Sequence, residues 1–418
     1  MTCGKGQALS PRPHRPRLIS RSRHPFPPNT AAMVTITGRH YATGVPLRLS
    51  WDGARIIECA GLRGADAAGC DGWPVLAPAL FDIQVNGYGG LDFAVEENLG
   101  HLANTLAGFG VARFCPTVVT GPDERVGHAL SCITRARTAS AALAAAVPCI
   151  HLEGPYISGA DGARGAHPLD HVRDPDWDHF SRLQDQADGH VGLVTLAPER
   201  PGAIPFIARC AAAGIVVALG HTAADAATIA AAVDAGARLS THLGNGVATP
   251  MDRHHNPLWP QLADERLAAS FIADGEHLPA PALVAMVRAK GGVRGSILVS
   301  DSVAEAGLSP GRYAGVGGTA VDVLPTGRIQ LAGTPYLAGS GAHLLACVAH
   351  AARCGAATLA EAIDMAALCP AGLLGRPAGG LRPGAPADLM AFHAGPDGAL
   401  DVCLTVRDGL VVHDRRSS

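Results

Sequence analysis

Eight short apolar runs, separated by stretches long enough for helices, constrain the fold of this 418-residue chain more than any other feature. The runs cover residues 79–85, 111–119, 147–152, 191–196, 214–219, 237–243, 267–273 and 295–300. They are continuously apolar instead of alternating, as strands buried on both faces of a parallel sheet are. Strand and helix repeated eight times predict a (β/α)8 TIM barrel, with a doubly wound open sheet as the alternative.

Short apolar segments broken by Gly and Asp turns occur at both ends of the chain and read as small β-strands. We therefore expect one small β-sandwich domain built from both termini, with residues 33–78 as its first part and residues 378–418 as its second. The barrel then occupies residues 79–377, which exceeds the ~250 residues typical of such a barrel.

Residues 1–32 differ in composition from the rest of the chain, because they contain six basic residues, six prolines and no acidic residue. They have no apolar segment of the kind a secretory signal needs. Low hydrophobicity combined with proline and like charge predicts a disordered basic extension. Sequence of ordinary composition begins at Met33, which is an alternative start of the protein itself.

Composition excludes several classes of function. The formal net charge is −3 with both signs mixed, which gives no indication of a nucleic-acid or membrane-surface partner. No apolar run reaches the ~18 residues of a membrane helix. The 11 cysteines form no Cys-x-x-Cys pair, so we expect reduced thiols and a cytoplasmic protein.

Polar side chains mark the ends of most of the apolar runs. In a parallel barrel the carboxyl ends of all strands open onto the same face, where active sites are built. These side chains should therefore converge although they are far apart in the chain. They are Gln84 and Asn86, Glu153, His221, His242, Asp274 and His277, and Asp301.

Glu153, His221 and His242 together make a three-ligand metal site with room for a water molecule, the usual arrangement of catalytic zinc. Such a metal lowers the pKa of water toward ~7 and polarises a carbonyl. Asp301 is then the expected general base. Taken singly, each residue has a structural explanation as a helix cap, an ion-pair partner or a core histidine. The joint pattern favours metal-assisted hydrolysis.

Several motifs occur in an order that resembles a known family. They are "APALFDIQVNGYGGLDF", "HLEGPYIS", "GAHP", "VTLAPE", "LGHTAADA", "THLGNG", "IADGEH" and "VSDSVAEAGL", followed by "AALCPAGLLGRPAGGLRPGAPADLMAF". From about Met33 onward the chain resembles the N-acetylglucosamine-6-phosphate deacetylase family of the amidohydrolase superfamily. The resemblance implies a (β/α)8 barrel with a small β-sandwich, usually as a homodimer, and a small-molecule amino-sugar substrate.

The resemblance also implies residue roles. Glu153, His221 and His242 match the metal ligands, Asp301 matches the catalytic acid and base, and His167 matches a residue near the scissile carbonyl. Other positions match substrate-binding residues of the family, with the last two of them as the phosphate-binding pair: Ala166, His167, Asn245, Gly246, Leu331, Ala332, Gly333, Arg253 and His277.

The end of the first run bears on the number of metal ions. Many amidohydrolases have His-x-His at this position for a second metal, whereas this chain has Gln84-Val85-Asn86. Amides are poor ligands beside imidazole. We therefore expect a mononuclear site holding one divalent ion, with zinc as the prediction and iron or another divalent ion as alternatives.

The chain departs from the family pattern where phosphate should bind. "THLGNGV" replaces the usual Thr-His-Leu-x-Asn-Ala-Met, and Arg253 is followed by His-His-Asn-Pro. Glu276 lies beside His277, and an acid there opposes a phosphate dianion. Hydrolysis of the acetamido group of N-acetylglucosamine 6-phosphate is the predicted function.

Two other functions stay open from the residues. One is an amidohydrolase for a different substrate, such as a non-phosphorylated N-acyl amino sugar or an N-acyl amino acid, or a deaminase. The other is an inactive barrel used for binding, although such a copy usually loses one of the four residues that are present here. A dinucleotide-dependent enzyme has no support, since no Gly-x-Gly-x-x-Gly turn follows the first run.

Overall fold

The segment that begins at residue 33 forms four strands of a sheet. The computed structural model describes Met1 and residues 33–315, 320–377 and 379–416, so the extension predicted at residues 1–32 lies, apart from Met1, outside the described residues. The strands are β1 (Val34–His40), β2 (Pro46–Asp52), β3 (Arg55–Gly61) and β4 (Val75–Pro78). β1, β2 and β3 pair antiparallel in sequence, and β1 also pairs parallel with β4.

Eight parallel strands form the barrel, as predicted. They are β5 (Leu80–Val85), β6 (Val111–Val119), β7 (Ile150–Glu153), β8 (Val191–Leu196), β9 (Val216–Leu219), β10 (Leu239–Ser240), β11 (Ala268–Ile272) and β12 (Ser296–Val299). Each overlaps one of the eight apolar runs. Neighbouring strands pair in chain order from β5 to β12. This confirms the (β/α)8 fold and excludes the open doubly wound sheet.

The barrel closes between its first and last strands through a few backbone hydrogen bonds. The amide of Asp301 donates to the carbonyl of Gln84 (2.9 Å), and the amide of Asn86 donates to the carbonyl of Ser302 (2.8 Å). Because these bonds lie just beyond the carboxyl ends of β5 and β12, closure brings Gln84, Asn86 and Asp301 to one place.

Helices connect the barrel strands and cover the barrel. They are α1 (Asn98–Ala107), α2 (Asp123–Ala139), α3 (Ala141–Ala146), α4 (Trp177–Gln186), α5 (Ala203–Ala212), α6 (Ala226–Ala235), α7 (Leu258–Ala263), α8 (Ala280–Ala289), α9 (Leu344–Arg353) and α10 (Leu359–Leu373), with 3-10 turns at Gly64–Ala67, Cys70–Gly72, Leu169–His171 and Gly292–Arg294. Helix α6 follows its sequence signals. The Asp225 side chain accepts from the amide of Thr228, and Gly236 ends the helix at φ +120°.

A three-stranded antiparallel sheet between β12 and α9 was not predicted as regular structure. We call it the hairpin insert; it comprises β13 (Gly311–Ala314), β14 (Ala320–Val323) and β15 (Ile329–Leu331). Its small apolar core includes Val321, Val323 and Ile329, packed against Val303 and Ala306 just after the last barrel strand. The insert therefore rests on the segment that follows Asp301.

The end of the chain completes the first sheet. Strands β16 (Leu389–Ala394), β17 (Leu400–Arg407) and β18 (Leu410–Asp414) join it through antiparallel pairing of β16 with β4, in the order β18-β17-β16-β4-β1-β2-β3. The Trp51 indole donates to the carbonyl of Gly409 (2.9 Å), so β2 meets the turn between β17 and β18 and the sheet curls back on itself. Strands from both termini thus form one small domain around its own core.

No helix in the described part of the chain is both long and apolar enough to cross a membrane. No disulfide joins the ten cysteines of the described residues.

Candidate active site

Three side chains from different strands converge at the carboxyl end of the barrel. Glu153 is the last residue of β7. His221 lies two residues beyond the end of β9, and His242 lies two residues beyond the end of β10. The Glu153 Oε1 atom lies 3.2 Å from His221 Nε2 and 2.9 Å from His242 Nε2, and the two Nε2 atoms are 3.1 Å apart. All three residues are buried. They form a group that could hold a metal ion.

The chemistry of this donor set fits a divalent cation. The Nδ1 atom of His221 lies 3.0 Å from the carbonyl of Ala163, so the ring proton is on Nδ1 and Nε2 presents its lone pair. The ligands of a tetrahedral zinc ion lie about 3.3 Å from each other, close to the spacing seen here. The Nδ1 atom of His242 has no partner within the described residues. A cation would relieve the repulsion between lone pairs held this near.

The backbone is strained at the candidate site. Only five non-glycine residues of the described chain have positive φ, and three of them are His221 (+50°), His242 (+29°) and Asp301 (+49°). Non-glycine residues rarely adopt this conformation, and it is found most often at functional sites. Each of the three residues lies two positions beyond the end of its barrel strand, where the chain leaves the barrel.

The two amides at the end of β5 bind carboxylates of the site. Gln84 donates from Nε2 to Glu153 Oε1 (3.0 Å), and Asn86 donates from Nδ2 to Asp301 Oδ1 (2.7 Å). In both bonds the amide turns its NH2 group toward the carboxyl oxygen, so the NH2 groups face into the site. An NH2 group cannot ligate a metal. The Gln-x-Asn sequence therefore supplies hydrogen-bond donors at the position where His-x-His would supply metal ligands.

Burial and charge perturb both carboxyl groups. Burial and the nearby charge of Glu153 raise the pKa of Asp301 to about 8, against opposing effects of His242 and Asn86. Burial also acts to raise the pKa of Glu153, but the adjacent imidazoles of His221 and His242 outweigh it and hold that pKa well below its usual range. Two carboxyl groups with such different proton affinity suit different roles.

His167 lies against the metal-binding group. Its ring centroid is 4.3 Å from that of His221, in an edge-to-face arrangement, and its Nδ1 lies 2.8 Å from Thr120 Oγ1. Burial, assisted by His221, lowers the pKa of His167 to about 3, so the ring is neutral at physiological pH. A neutral, oriented imidazole can donate to a carbonyl from the nitrogen that Thr120 does not engage.

Close backbone packing holds His221 in place. Gly246 adopts φ +60°, and a Cβ atom added there would lie 2.8 Å from His221 Nδ1. Gly165 adopts φ +59°, and its Cβ would lie 3.1 Å from the Cε1 atom of the same ring. The neighbouring Asn245 caps the turn by donating from Nδ2 to the carbonyl of His242 (3.2 Å). Asn245 and Gly246 therefore lie beside the candidate metal ligands.

The two residues assigned to phosphate binding stand in different environments. His277 is nearly buried, and its Nδ1 lies 2.7 Å from Asp274 Oδ2. Arg253 is exposed, and within the described ranges its guanidinium makes no hydrogen bond. Its backbone carbonyl accepts from the indole of Trp259 (3.1 Å). The structure does not bring Arg253 and His277 into contact within one chain.

The remaining predicted residues lie further out. Ala166 is exposed beside His167, in the loop that follows β7. Leu331 ends β15, and Ala332 and Gly333 follow it in the turn that closes the hairpin insert. No hydrogen bond joins Leu331, Ala332 or Gly333 to Glu153 in the described residues. His254 and His255, which follow Arg253, are both exposed.

Two residues of the site were missed, although the same reasoning about strand ends applies to them. Thr120 directly follows β6 and orients His167. Glu199 follows β8 and accepts hydrogen bonds from the Thr222 hydroxyl (2.6 Å) and the Ala223 amide (2.7 Å), which fixes the loop after His221. The detectable signal was a polar residue just beyond the second and fourth apolar runs.

Sequence comparison finds relatives along most of the chain. N-acetylglucosamine-6-phosphate deacetylase of Bos taurus is 36% identical over 363 residues, covering 83% of this chain and 84% of the bovine protein. The human enzyme of the same name is 35% identical over 381 residues (86% and 90%). N-acetylgalactosamine-6-phosphate deacetylase of Escherichia coli O157:H7 is 33% identical over 326 residues (77% and 84%).

Solved structures resemble this fold over nearly its whole length. N-acetyl-D-glucosamine-6-phosphate deacetylase of Mycobacterium smegmatis superposes with a TM-score of 0.80 at 31% identity, covering 91% of this chain and 99% of that chain. The Thermotoga maritima enzyme, at 23% identity, supports the fold alone, with a TM-score of 0.79 over 91% and 100%. No protein-family model matches the sequence. The extent and identity of these similarities show that the chain belongs to the N-acetylglucosamine-6-phosphate deacetylase family of the amidohydrolase superfamily.

Proposed function

We propose that this chain is a metal-dependent deacetylase that hydrolyses the acetamido group of N-acetylglucosamine 6-phosphate to glucosamine 6-phosphate and acetate. The observation that carries the proposal is the buried Glu153, His221 and His242 group, which shares the barrel rim with Asp301. Relatives named for this reaction cover more than four fifths of the chain and support the same substrate.

Glu153, His221 and His242 would hold one divalent cation, for which we propose zinc, with iron or another divalent ion as the alternative. When bound, the cation supplies Lewis-acid chemistry by polarising the acetamido carbonyl and lowering the pKa of water. Gln84 keeps Glu153 in place through its amide (3.0 Å). The inward amides of Gln84 and Asn86 support a mononuclear site.

Asp301 is the proposed general base and acid. As water adds to the acetamido carbonyl, the Asp301 carboxylate takes a proton from it and then returns that proton to the sugar nitrogen as the C–N bond breaks. Asn86 engages Oδ1, which leaves Oδ2 without a partner in the described part of the chain. Burial and the charge of Glu153 raise the pKa of Asp301 to about 8, near neutral pH, where one group can both accept and return a proton.

His167 is the proposed donor to the acetamido oxygen. For its Nε2 to carry the proton, Nδ1 must accept from the Thr120 hydroxyl, which lies at 2.8 Å. Burial keeps this ring neutral, so it can donate a hydrogen bond without adding a charge to the site. A donor placed where negative charge develops stabilises the transition state.

Other residues would bind the sugar. We propose that Ala166, Asn245 and Gly246 lie against the sugar ring, and that His277 and Arg253 bind its phosphate. A lining role for the loop after β15 is also proposed, for residues Leu331, Ala332 and Gly333. The position of Asn245 and Gly246 next to His242 and His221 supports the first assignment.

Three further properties are part of this proposal. The enzyme is a homodimer, as implied by the resemblance to its family. It acts in the cytoplasm, as the free thiols support. Its catalytic barrel spans residues 79–377, between the two segments of the terminal domain at residues 33–78 and 378–418.

The test is an acetate-release assay on the purified protein, with N-acetylglucosamine 6-phosphate, N-acetylgalactosamine 6-phosphate and N-acetylglucosamine as substrates. We expect the first to be preferred, chelation to abolish turnover, and zinc or iron to restore it. Asp301→Asn should lower kcat by about 10²–10⁴-fold, since this is the usual contribution of a general acid–base group. Metal analysis of the variant should show the ion retained.

The outcomes separate the alternatives. Equal turnover of the phosphorylated and non-phosphorylated sugars would point to an amidohydrolase with a different substrate. A protein that binds no divalent ion and releases no acetate would be an inactive barrel. Full activity of Asp301→Asn would remove this residue from the mechanism while leaving the metal site intact.

A further inference from the structure

The hairpin insert reaches the loop that carries His277. Arg328 lies in the turn between β14 and β15, and its Nη1 donates to Glu276 Oε2 (2.9 Å). Its Nη2 donates to the carbonyl of Pro335 (2.8 Å), just after the insert. Glu276 directly precedes His277 in the loop after β11. One arginine thus ties the insert to the neighbourhood of the phosphate end proposed above.

Asp274 holds this loop in a fixed conformation. Its Oδ1 accepts from the amides of Glu276 and His277 (2.9 Å each), and its Oδ2 is paired with His277 Nδ1. Burial acts to raise the pKa of Asp274, but the bonds and charge of His277 lower it to about 2, so the carboxylate is ionised. The Nε2 atom of His277 is left without a partner in the described residues.

The same loop packs beside the candidate metal ligands. A Cβ atom added at Gly244 would lie 2.9 Å from Leu278 Cδ2, so the stretch after His242 touches the residue after His277. This contact places the loop of Glu276 and His277 next to the stretch with Asn245 and Gly246, which we propose to line the sugar. The charge of Glu276 is therefore relevant to the substrate.

Alone, the Glu276 carboxylate would repel a phosphate dianion at His277. From the sequence alone, Glu276 is expected to oppose phosphate binding for this reason. The ion pair at 2.9 Å sets the charge of Arg328 against that of Glu276. The pair is partly exposed, with side-chain exposures of 27% for Arg328 and 37% for Glu276, so an incoming anion can reach it.

We propose that Arg328 is a specificity-determining residue that permits a phosphorylated amino sugar to bind, by neutralising Glu276 beside His277. The inference rests on the proposed function and deepens it. Arg328 acts through Glu276 and takes no part in the chemical step. Its removal should therefore weaken binding of the phosphorylated substrate and leave kcat almost unchanged.

The experiment compares Arg328→Gln, Glu276→Gln and the double variant on N-acetylglucosamine 6-phosphate and on N-acetylglucosamine. Arg328→Gln should raise KM for the phosphorylated sugar about tenfold or more, with little change for the neutral sugar, because it exposes an unpaired carboxylate. Glu276→Gln alone should leave KM near the wild-type value or lower it. The double variant should return KM to within about threefold of wild type, since no unpaired charge remains.

Arg312→Gln is the matched control, since Arg312 forms an exposed ion pair with Asp322 (2.7 Å) within the same hairpin insert. It should leave both KM values unchanged. An unchanged KM in Arg328→Gln would overturn the proposal. So would a double variant no better than Arg328→Gln, because the effect would then come from the fold of the insert instead of charge.

The wild-type protein separates this inference from the function on which it rests. A wild type that deacetylates both sugars equally well refutes the phosphorylated substrate, and with it any role of Arg328 in selecting that substrate. A wild type that prefers the phosphorylated sugar, with the same preference kept in Arg328→Gln, overturns the inference alone.

Discussion

At the scale of single residues, the orientation of His221 depends on glycines that contribute no side chain. Its ring lies between Gly165 and Gly246, both at positive φ, and its Nδ1 is paired with the carbonyl of Ala163 at 3.0 Å. Partners that orient a ligating imidazole typically contribute 10–100-fold to metal affinity. The backbone around His221 is therefore part of the candidate metal site.

We expect Gly246→Ala to lower the affinity for a divalent cation about 10–100-fold, because the new Cβ would lie 2.8 Å from His221 Nδ1 and must displace the ring. Competition with a chromophoric chelator measures this affinity. Gly291→Ala is the control, since Gly291 has a similar φ of +75° but no atom within 4 Å of the added Cβ. Equal affinity in the two variants would show that His221 tolerates the displacement.

Site residues could be predicted from the sequence where their side-chain type and their position in the chain were both unusual. Glu153, His221, His242 and Asp301 stand out because polar groups ending apolar runs are conspicuous, and the structure gathers the first three within hydrogen-bond distance. The pairing of Arg328 with Glu276 had no such signal. Both residues are ordinary in composition, and their contact depends on the direction in which the hairpin insert leaves the barrel.

At the scale of elements, the start of α9 depends on an uncharged histidine. His343 is the N-cap residue, and its Nδ1 accepts from the amide of Ala346 (3.2 Å). The ring stacks on Phe109, with centroids 3.8 Å apart and planes within 3°. Burial lowers the pKa of His343 to about 4. An accepting Nδ1 is possible only while the ring is neutral.

Stability should therefore fall as pH decreases from about 6.5 toward 4, because the unfolded chain binds a proton at His343 that the folded chain does not. At pH 5 this loss is on the order of 2 kcal/mol by linkage. His343→Asn keeps a side-chain acceptor at the cap and does not titrate. Urea unfolding at pH 7.5 and pH 5 should show a smaller loss for this variant than for wild type.

The exposed His101 on α1 provides the control, since His101→Asn should leave the difference between the two pH values as it is in wild type. A parallel loss of stability in wild type and His343→Asn would assign the acid sensitivity to other groups. For each protein, the quantity compared is the difference in the free energy of unfolding between pH 7.5 and pH 5. This is necessary because His343→Asn loses the stack on Phe109, which changes the free energy of unfolding at both pH values.

Strands of the barrel were predictable because burial on both faces makes each one a continuous apolar run, and β5 to β12 all confirm the prediction. The residues at which these strands end were harder to predict. β10 is only two residues long, since the positive φ at His242 ends it early. The hairpin insert gave no periodic signal, because β13 has no buried residue and β14 has only two.

At the scale of the whole molecule, an ion-pair cluster joins the barrel to the terminal sheet at the end opposite the candidate site. Arg113 in β6 donates to Asp388 (2.9 Å) and Asp408 (2.6 Å), and its side chain is 15% exposed. These residues border a cavity of about 360 Å³ between the barrel and the sheet. The contact between the barrel and the terminal sheet is thus polar beside this cavity.

Arg113→Leu should lower the free energy of unfolding by about 3–5 kcal/mol, because it leaves two carboxylates partly buried without their cation. Adding Asp388→Asn should recover part of this loss. Arg48→Leu is the control, since its pair with Glu58 is exposed (46% and 42%) and its loss should change stability far less. Urea unfolding at neutral pH measures all three; a cost for Arg113→Leu as small as for Arg48→Leu would contradict the prediction.

The pairing of β4 with β16 places Pro78 opposite Leu389, on either side of the entire barrel in the chain. During synthesis on the ribosome, β4 emerges long before the strand that covers its edge. The barrel strands can associate meanwhile, but the seven-stranded sheet must wait for the last segment of the chain. A nascent chain that stalls before Leu389 would expose a strand edge open to pairing with other chains, so premature termination should favour aggregation.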